Sequence, residues 1–122
     1  MKALVIEPGK QPRIDDISPD LKSLQREVGG YTQAVYPWDD PVAIICNEEA
    51  KLEGLPMNRA LRDEDGEIYD VIAGTFLITG LTEDDFGDLT DDLVEKYTTL
   101  FRCPEVFIHV GDRIIVNRVP TE

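Results

Sequence analysis

The chain is poor in the residue types from which most catalytic and metal sites are built. It has two cysteines and one histidine in 122 residues. Cys46 and Cys103 lie far apart and belong to no C-x-x-C pair or Cys/His ligand set, so they indicate neither zinc nor a dithiol redox centre, and idle or buried thiols are expected. His109 stands alone in a predicted strand, where a histidine is more often structural than catalytic. We therefore predict no metal site, no cofactor and no catalytic residues.

Motifs for nucleotide loops and for common hydrolases are missing as well. No G-x-x-x-x-G-K-[ST], G-x-G-x-x-G, H-E-x-x-H or G-x-S-x-G occurs in the sequence. A calcium loop of the form D-x-[DN]-x-[DN]-G with its distal Glu is also absent. Paired carboxylates are so plentiful that no single pair points to acid–base chemistry. Enzyme activity stays open, but the sequence favours a protein that is not an enzyme.

Basic residues are scarce: 12 Lys and Arg stand against 25 Asp and Glu, and the formal net charge is −13. This balance argues against direct binding to nucleic acid, because non-specific binders rely on attraction to the phosphate backbone. It suits a soluble protein, or an acidic surface that competes with nucleic acid for a basic protein groove.

Long hydrophobic runs are also lacking. The apolar start at Ala3–Ile6 is interrupted by Glu7 and Pro8, which fits neither a signal peptide nor a membrane span. We therefore expect a cytoplasmic protein. The length predicts one domain over residues 1–122, large enough for a real core.

The periodicities predict an α+β domain with a mixed, mostly antiparallel sheet of about six strands and two packed helices. The first helix is expected to begin at Pro19, with Ser18 as its N-cap, and to end at Val28, just before Gly29. A terminal hairpin should turn at Gly111-Asp112. The predicted helices are 19–28 and 91–101, and the predicted strands are 3–6, 12–17, 31–36, 42–46, 67–72, 75–79, 105–110 and 113–119.

The stretch from Gly54 to Gly80 is the strongest candidate for a site. Leu55-Pro56 should leave a short irregular piece that presents Asn58, Arg59 and Arg62. Asp63–Gly66 predicts a tight turn with positive φ at Gly66, and the segment as a whole resembles a bent hairpin with a polar loop at its base. Guanidinium groups suit phosphate or carboxylate, so the predicted ligand-binding residues are Asn58, Arg59, Arg62, Gly74, Thr75 and Trp38.

Plainer interpretations compete with that pocket. The arginines could pair with Asp63, Glu64 or Asp65 on an ordinary surface hairpin, where such pairs contribute roughly 0–1 kcal/mol. Trp38 could stack on a planar ligand, but large aromatic side chains usually serve core packing.

The most acidic stretch, residues 83–95, also allows two interpretations. Thr82 and Thr90 could cap two helical pieces whose carboxylates favour the positive helix ends and solvent. Alternatively, the row of carboxylates imitates nucleic-acid phosphates toward a basic partner. The predicted partner-binding residues in that case are Asp84, Asp85, Asp88, Asp91 and Asp92.

An ordered set of short motifs resembles the domain of unknown function 3846 family. The motifs are Met1–Lys10, Gly29-Gly30-Tyr31, Ala34–Pro37, Cys46–Glu49 and Leu55–Phe76. The resemblance covers nearly the whole chain, except for about the last 15 residues. It implies a small protein of the kind met on phages, plasmids and integrated elements of bacteria, and it carries no chemistry over to any residue.

The sequence leads to two hypotheses about function. The first is a non-enzymatic binding protein of a phage or mobile element that interferes with a host defence process. It would act by sequestering a small anionic or nucleotide ligand, or by binding a host protein. The second is an acidic nucleic-acid mimic that inhibits a basic host nuclease or regulator. Both leave a homo-oligomer open and neither involves a membrane.

Overall fold

The computed structural model describes residues 1–120, and its fold is α+β, as the sequence predicts. These residues form ten strands and two helices. In chain order the elements are β1 (Lys2–Ile6), β2 (Arg13–Asp16), α1 (Leu21–Val28), β3 (Thr32–Val35), β4 (Val42–Asn47), β5 (Met57–Arg62), β6 (Ile68–Ala73), β7 (Phe76–Leu81), β8 (Phe86–Gly87), α2 (Asp91–Leu100), β9 (Glu105–Val110) and β10 (Arg113–Arg118).

A six-stranded sheet forms the centre of the molecule. Five strands run in the order β2-β1-β7-β4-β3, and the short β8 pairs with β7. The strands β5 and β6 form a separate hairpin, and β9 and β10 form another. All the ladders in residues 1–120 are antiparallel. The interior strands β1, β4 and β7 are the ones with continuous apolar sequence, since a strand covered on both faces needs apolar residues at successive positions.

The two faces of this sheet pack against different elements. On β1, Ala3 and Val5 face α1 and its buried residues Leu24 and Val28. The alternate residues, Leu4 among them, face the opposite cluster, which includes residues of α2 and of the β5–β6 hairpin. The period-two alternation of a strand therefore divides the core into two layers, one on each side of the sheet.

Helix α1 begins two residues later than the sequence analysis predicts. Asp20, not Ser18, is the N-cap: its carboxylate accepts from the Ser23 N–H at 2.9 Å. Pro19 consequently lies outside the helix. The predicted C-terminal end is confirmed, because Gly29 adopts a left-handed φ of 78° that an L side chain would resist.

Thr82 does not cap a helix, contrary to the prediction. Its hydroxyl accepts from the Asp85 N–H at 3.0 Å in a turn that leads into β8. Helix α2 does begin after Thr90, but Thr90 makes no side-chain capping bond.

The β5–β6 hairpin differs in one respect from the predicted bent hairpin. Met57–Arg62 forms a strand rather than an irregular piece, because Pro56 precedes the ladder and removes no ladder donor. The turn at Asp63–Gly66 is confirmed, with φ of 83° at Gly66. The register shifts between Met57 and Arg59 and again between Leu61 and Arg62. Bulges of this kind bend a strand, and Leu61 and Ile72 of this hairpin pack in the core cluster on one face of the central sheet.

Candidate functional site

Asn58 lies in the core, and both the N–H groups and the oxygen of its side-chain amide are hydrogen-bonded to other residues of the chain. It is fully buried in β5 and donates to the carbonyls of Ile6 and Gly74, each at 2.8 Å. Its Oδ1 accepts from Arg59 at 2.7 Å. The amide therefore connects β5 to the end of β1 and to the β6–β7 junction.

Arg59 is also fully buried, and oxygens of the protein itself surround its guanidinium group. The group donates to the carbonyl of Phe101 at 3.1 and 3.2 Å, to that of Lys10 at 2.5 Å and to that of Asn58 at 3.2 Å. It makes no ion pair with a carboxylate of residues 1–120. Burial lowers the Arg59 pKa, partly offset by the charge of Glu105. Its hydrogen bonds tie the loop after β1 and the end of α2 to β5.

Arg62, three residues further along β5, pairs with a carboxylate that the sequence analysis did not connect with it. Its guanidinium meets Glu105 at 2.8 and 3.4 Å, and the same carboxylate accepts from the Ala60 N–H at 3.1 Å. The Glu105 side chain is only 3% exposed, whereas that of Arg62 is 25% exposed. The neighbouring acids of the Asp63–Gly66 turn are not its partners. Part of the Arg62 side chain consequently remains at the surface.

Gly74 and Thr75 stand where β6 passes into β7. Gly74 has φ of 74°, and its N–H donates to the Pro56 carbonyl at 2.7 Å. A Cβ added here would approach Leu55 to 3.0 Å, so the close approach at this glycine is made by the protein itself. Thr75 is half-buried beside it.

Trp38 packs on the core and still borders open space. Its ring lies 4.5 Å from that of Tyr97 and 6.0 Å from that of Phe101, measured between centroids. The core-packing interpretation of this tryptophan is therefore the one that the contacts support. The indole is half-buried, and its remaining surface lines two adjoining cavities that Arg62 lines as well.

The first of these cavities is a shallow groove of about 510 Å³, which we call the Trp38 groove. Apart from Arg62, its polar lining is acidic, and Tyr69 supplies a second aromatic ring. Its residues are Pro37, Trp38, Asp39, Arg62, Asp63, Glu64, Asp65 and Tyr69. The adjoining cavity, about 260 Å³, lies deeper against Leu100 and Phe101. Of the six predicted ligand-binding residues, only Trp38 and Arg62 line these cavities.

A second acid-lined groove lies on the other side of the same β3–β4 loop. We call it the Tyr36 groove; its volume is about 310 Å³. Tyr36 is 60% exposed. The groove is lined by Tyr36, Leu81, Thr82, Glu83, Asp84, Asp85 and Phe86. Tyr36 lines this groove, whereas the next three residues line the Trp38 groove, so both grooves adjoin the loop formed by residues 36–41, which we call the aromatic loop.

The five predicted partner-binding aspartates do not share one environment. Asp84 and Asp85 line the Tyr36 groove. Asp88 accepts from the Lys2 N–H at 2.6 Å, and Asp91 pairs with the Lys2 ammonium. The hydrogen bond from Lys2 lowers the Asp91 pKa. Asp92 is exposed in the first turn of α2. Two of the five are therefore engaged by the chain's own N-terminal strand.

Several residues that complete the two grooves were not predicted from the sequence. Asp39 and Tyr36 belong to the aromatic loop, Tyr69 to β6, and Glu83 to the β7–β8 turn. Their one indication in the sequence is YPWDDP, in which two aromatic and two acidic residues stand beside two prolines. That the turns at 63–65 and 83–85 lie beside this loop is shown only by the tertiary structure.

A fourth cavity, of about 190 Å³, lies between the central sheet and the β5–β6 hairpin. Its walls are mainly apolar and include the buried Cys46, whose pKa burial raises. Lys51 and Asp70 form an ion pair at 2.9 Å among its lining residues. None of the predicted site residues lines it.

Two global properties bear on the class of site. Neither helix in residues 1–120 combines the length and apolar character of a membrane span. Within the same residues, no three His, Cys, Asp or Glu side chains are grouped as metal ligands would be. His109, the one histidine, is exposed on the terminal hairpin.

Fold and surface together define a small α+β domain with two acidic grooves around one aromatic loop. The family model described as Domain of unknown function (DUF3846) matches residues 1–102, and the chain belongs to that family. The match ends before the β9–β10 hairpin. Neither the curated proteins nor the solved structures gave a significant match.

Proposed function

We propose that this chain is a non-enzymatic binding protein of a phage or mobile element, which engages a basic protein of its bacterial host. The observation that carries this proposal is the pair of acid-lined grooves on either side of the aromatic loop, each with an exposed aromatic side chain. The partner would be a cytoplasmic host protein, and its occupation would interfere with a defence process.

Unneutralised charge is the first support for a basic partner. Glu122 lies outside the described residues, and of the other 24 acidic residues only six take part in ion pairs. Five acidic side chains in the two grooves make no ion pair or side-chain hydrogen bond within residues 1–120: Asp39, Glu64, Asp65, Glu83 and Asp84. The negative potential of these carboxylates speeds the encounter with a positively charged surface and disfavours the binding of anions.

Exposed aromatic faces are the second support. Tyr36 and Tyr69 are 60% and 55% exposed, and Trp38 is half-buried. Arginine and lysine side chains stack on such rings when carboxylates stand nearby, with about 0.5–1 kcal/mol per contact at exposed sites. Each groove therefore offers both an apolar face and a negative rim to a basic side chain.

The small-anion form of the proposal has less support. Asn58 and Arg59 are buried and hydrogen-bonded inside the protein, and Arg62 already holds Glu105. A phosphate beside Arg62 would also meet the carboxylates of the Trp38 groove. The geometry accordingly favours a basic protein over a nucleotide. In the mimicry form, Asp84, Asp85 and Asp92 are the predicted residues that remain accessible to a partner.

The test replaces groove carboxylates by amides without changing side-chain shape. The groove variant is Glu64→Gln, Asp65→Asn, Glu83→Gln and Asp84→Asn. A control variant with the same change in charge is Asp15→Asn, Glu48→Gln, Glu49→Gln and Glu53→Gln, at exposed positions outside both grooves. Both proteins and the wild type are immobilised to capture basic host proteins, and the affinity of each captured protein is measured calorimetrically in rising salt.

We expect wild type and control to bind the same basic protein, and the groove variant to bind it at least tenfold more weakly. The affinity should fall as salt rises, because the attraction is screened. Equal affinity of groove variant and control would contradict the proposal. A nucleotide panel tested on the same proteins should leave the melting temperature unchanged; stabilisation that Arg62→Ala removes would favour the small-anion form instead.

A further inference from the structure

The terminal hairpin leaves one long strand edge without a partner. Within residues 1–120, β10 has a ladder only with β9. Its six register pairs run from Arg113–Val110 to Arg118–Glu105 without a bulge. The four central residues of β10, 114–117, carry no charge. Unpaired N–H and C=O groups along such an edge can add another strand.

Other sheet edges in the molecule carry features that oppose such pairing. The outer strand β2 has four residues, two of which are aspartates. The outer strand β3 is equally short. The strand β6 contains Asp70, and its ladder with β5 is irregular. Short length, charge and irregular register are the common means of protecting an edge, and β10 has none of them between its terminal arginines.

An exposed apolar face accompanies this edge. Because opposite residues of an antiparallel pair share a face, Ile115 lies with Ile108, and Val110 and Val106 extend the same face. Each of these four side chains is between 44% and 53% exposed. A two-stranded hairpin alone is marginally stable in water, so further strands that enlarge this face would stabilise it.

Charge makes this hairpin suitable for contact between two copies of an acidic protein. Residues 105–120 contain two acidic and two basic side chains, whereas the whole chain carries −13. Because neighbouring strands lie about 4.8 Å apart, two hairpins joined at their β10 edges hold their β9 strands about 14 Å apart, beyond the roughly 8 Å over which charges interact in physiological salt. Contact through the hairpins therefore keeps much of the negative charge of the two bodies apart.

We propose that β10 pairs antiparallel with β10 of a second copy, about a two-fold axis at Ile115, to form a four-stranded sheet β9-β10-β10-β9. This register places Ile115 opposite Ile115 of the second copy and Arg113 opposite Asn117 of the second copy. It also brings Asp112 opposite Arg118 of the second copy, so that opposite charges meet. A shift by one residue would join opposite faces, and an axis at Ile114 would shorten the overlap of the two strands. An axis at Val116 would keep the overlap but lose the pairing of Asp112 with Arg118.

The first test measures association of the full-length chain by sedimentation equilibrium. We expect a reversible dimer that strengthens as salt rises, because screening reduces repulsion between the bodies. Ile115→Lys puts two ammonium groups at the axis and should weaken dimerisation at least tenfold. Ile68→Lys is the matched control, since Ile68 and Ile115 are 43% and 45% exposed, and it should dimerise like wild type. Melting temperatures verify that both variants fold.

A wild-type protein that stays monomeric up to about 1 mM, where an association free energy near −4 kcal/mol would be visible, overturns the proposal. A dimer that Ile115→Lys leaves intact overturns it too, since the second copy would then sit elsewhere. The salt response separates this proposal from binding of a basic partner, which weakens as salt rises, so either can fail alone.

The second test examines the register by cross-linking. On a Cys103→Ser background, Ile115→Cys places two thiols opposite one another at the axis, and mild oxidation should join the copies. Ile114→Cys, on the other face of β10, should cross-link at least tenfold more slowly. Equal rates for the two variants would rule out this register. Because Cys46 is buried, it contributes little background.

Discussion

Arg62 of β5 and Glu105 of β9, 43 residues apart in sequence, form a bidentate ion pair. Arg62 lies within the part of the chain that the family model covers, whereas Glu105 lies just beyond it. Glu105 also accepts from the Ala60 N–H. The terminal hairpin is thus fastened to β5 by a nearly buried carboxylate.

Loss of this carboxylate charge should destabilise the fold. We expect Glu105→Gln to lower the free energy of unfolding by about 1–3 kcal/mol. The reason is that Arg62 loses its charge partner at a nearly buried position, where water cannot take the place of the carboxylate. Urea denaturation measures the change. Asp70→Asn, which breaks the exposed pair with Lys51, is the control and should cost about 0–1 kcal/mol. Equal effects would contradict the structural role of Glu105.

Replacing the buried arginine should cost more. Arg59→Met leaves the carbonyls of Phe101 and Lys10 without their donors, and we expect a loss of about 3–5 kcal/mol in unfolding free energy. Arg102→Ala, at an exposed position, should change stability by no more than about 0.5 kcal/mol. If Arg59→Met proved as stable as Arg102→Ala, the internal hydrogen bonds of Arg59 would not support the fold.

Gly80 tests how closely β7 approaches the segment after β8. A Cβ at Gly80 would lie 2.1 Å from the carbonyl oxygen of Asp88, closer than any real contact. We expect Gly80→Ala to destabilise the protein by about 2–4 kcal/mol or to displace β8, as measured by urea denaturation. Gly9→Ala is the control: its added Cβ meets open space, and only its φ of 76° opposes the change, at about 1–2 kcal/mol.

The stability that the Asp20 N-cap gives to α1 should depend on pH. Hydrogen bonds from Ser18 and Ser23 lower the Asp20 pKa to about 2, from 3.8. Because the Asp20 pKa is lower in the folded than in the unfolded protein, the ionised carboxylate stabilises the fold. This contribution to stability is complete above about pH 4 and disappears as pH falls toward 2. Asp20→Asn keeps a capping oxygen but removes the charge. The melting-temperature difference between wild type and Asp20→Asn should therefore shrink between pH 4 and 2, and a constant difference would refute the assignment.

The sequence predicted most elements because their causes are local. Asp91–Leu100 begins after Thr90 and the terminal hairpin turns at Gly111-Asp112, as predicted. Ser18 and Asp20 are both residue types that cap helices, so the sequence could not distinguish between them. In the structure the backbone places Asp20, not Ser18, where it accepts from the Ser23 N–H. The cap expected at Thr82 was wrong because the same hydroxyl can close a turn.

By itself, the sequence determined an acidic α+β domain with a central apolar sheet, since composition, alternation and turn residues act over short distances. Only the tertiary structure decided that Arg59 is buried among carbonyls from three segments, that Arg62 meets Glu105 and that the aromatic loop stands between two acidic turns. These relationships depend on how the β5–β6 and β9–β10 hairpins pack with the central sheet, and they join residues far apart in the chain. The reason is that a guanidinium group satisfies its donors equally well with a ligand, a carboxylate or a carbonyl, and folding alone selects among them.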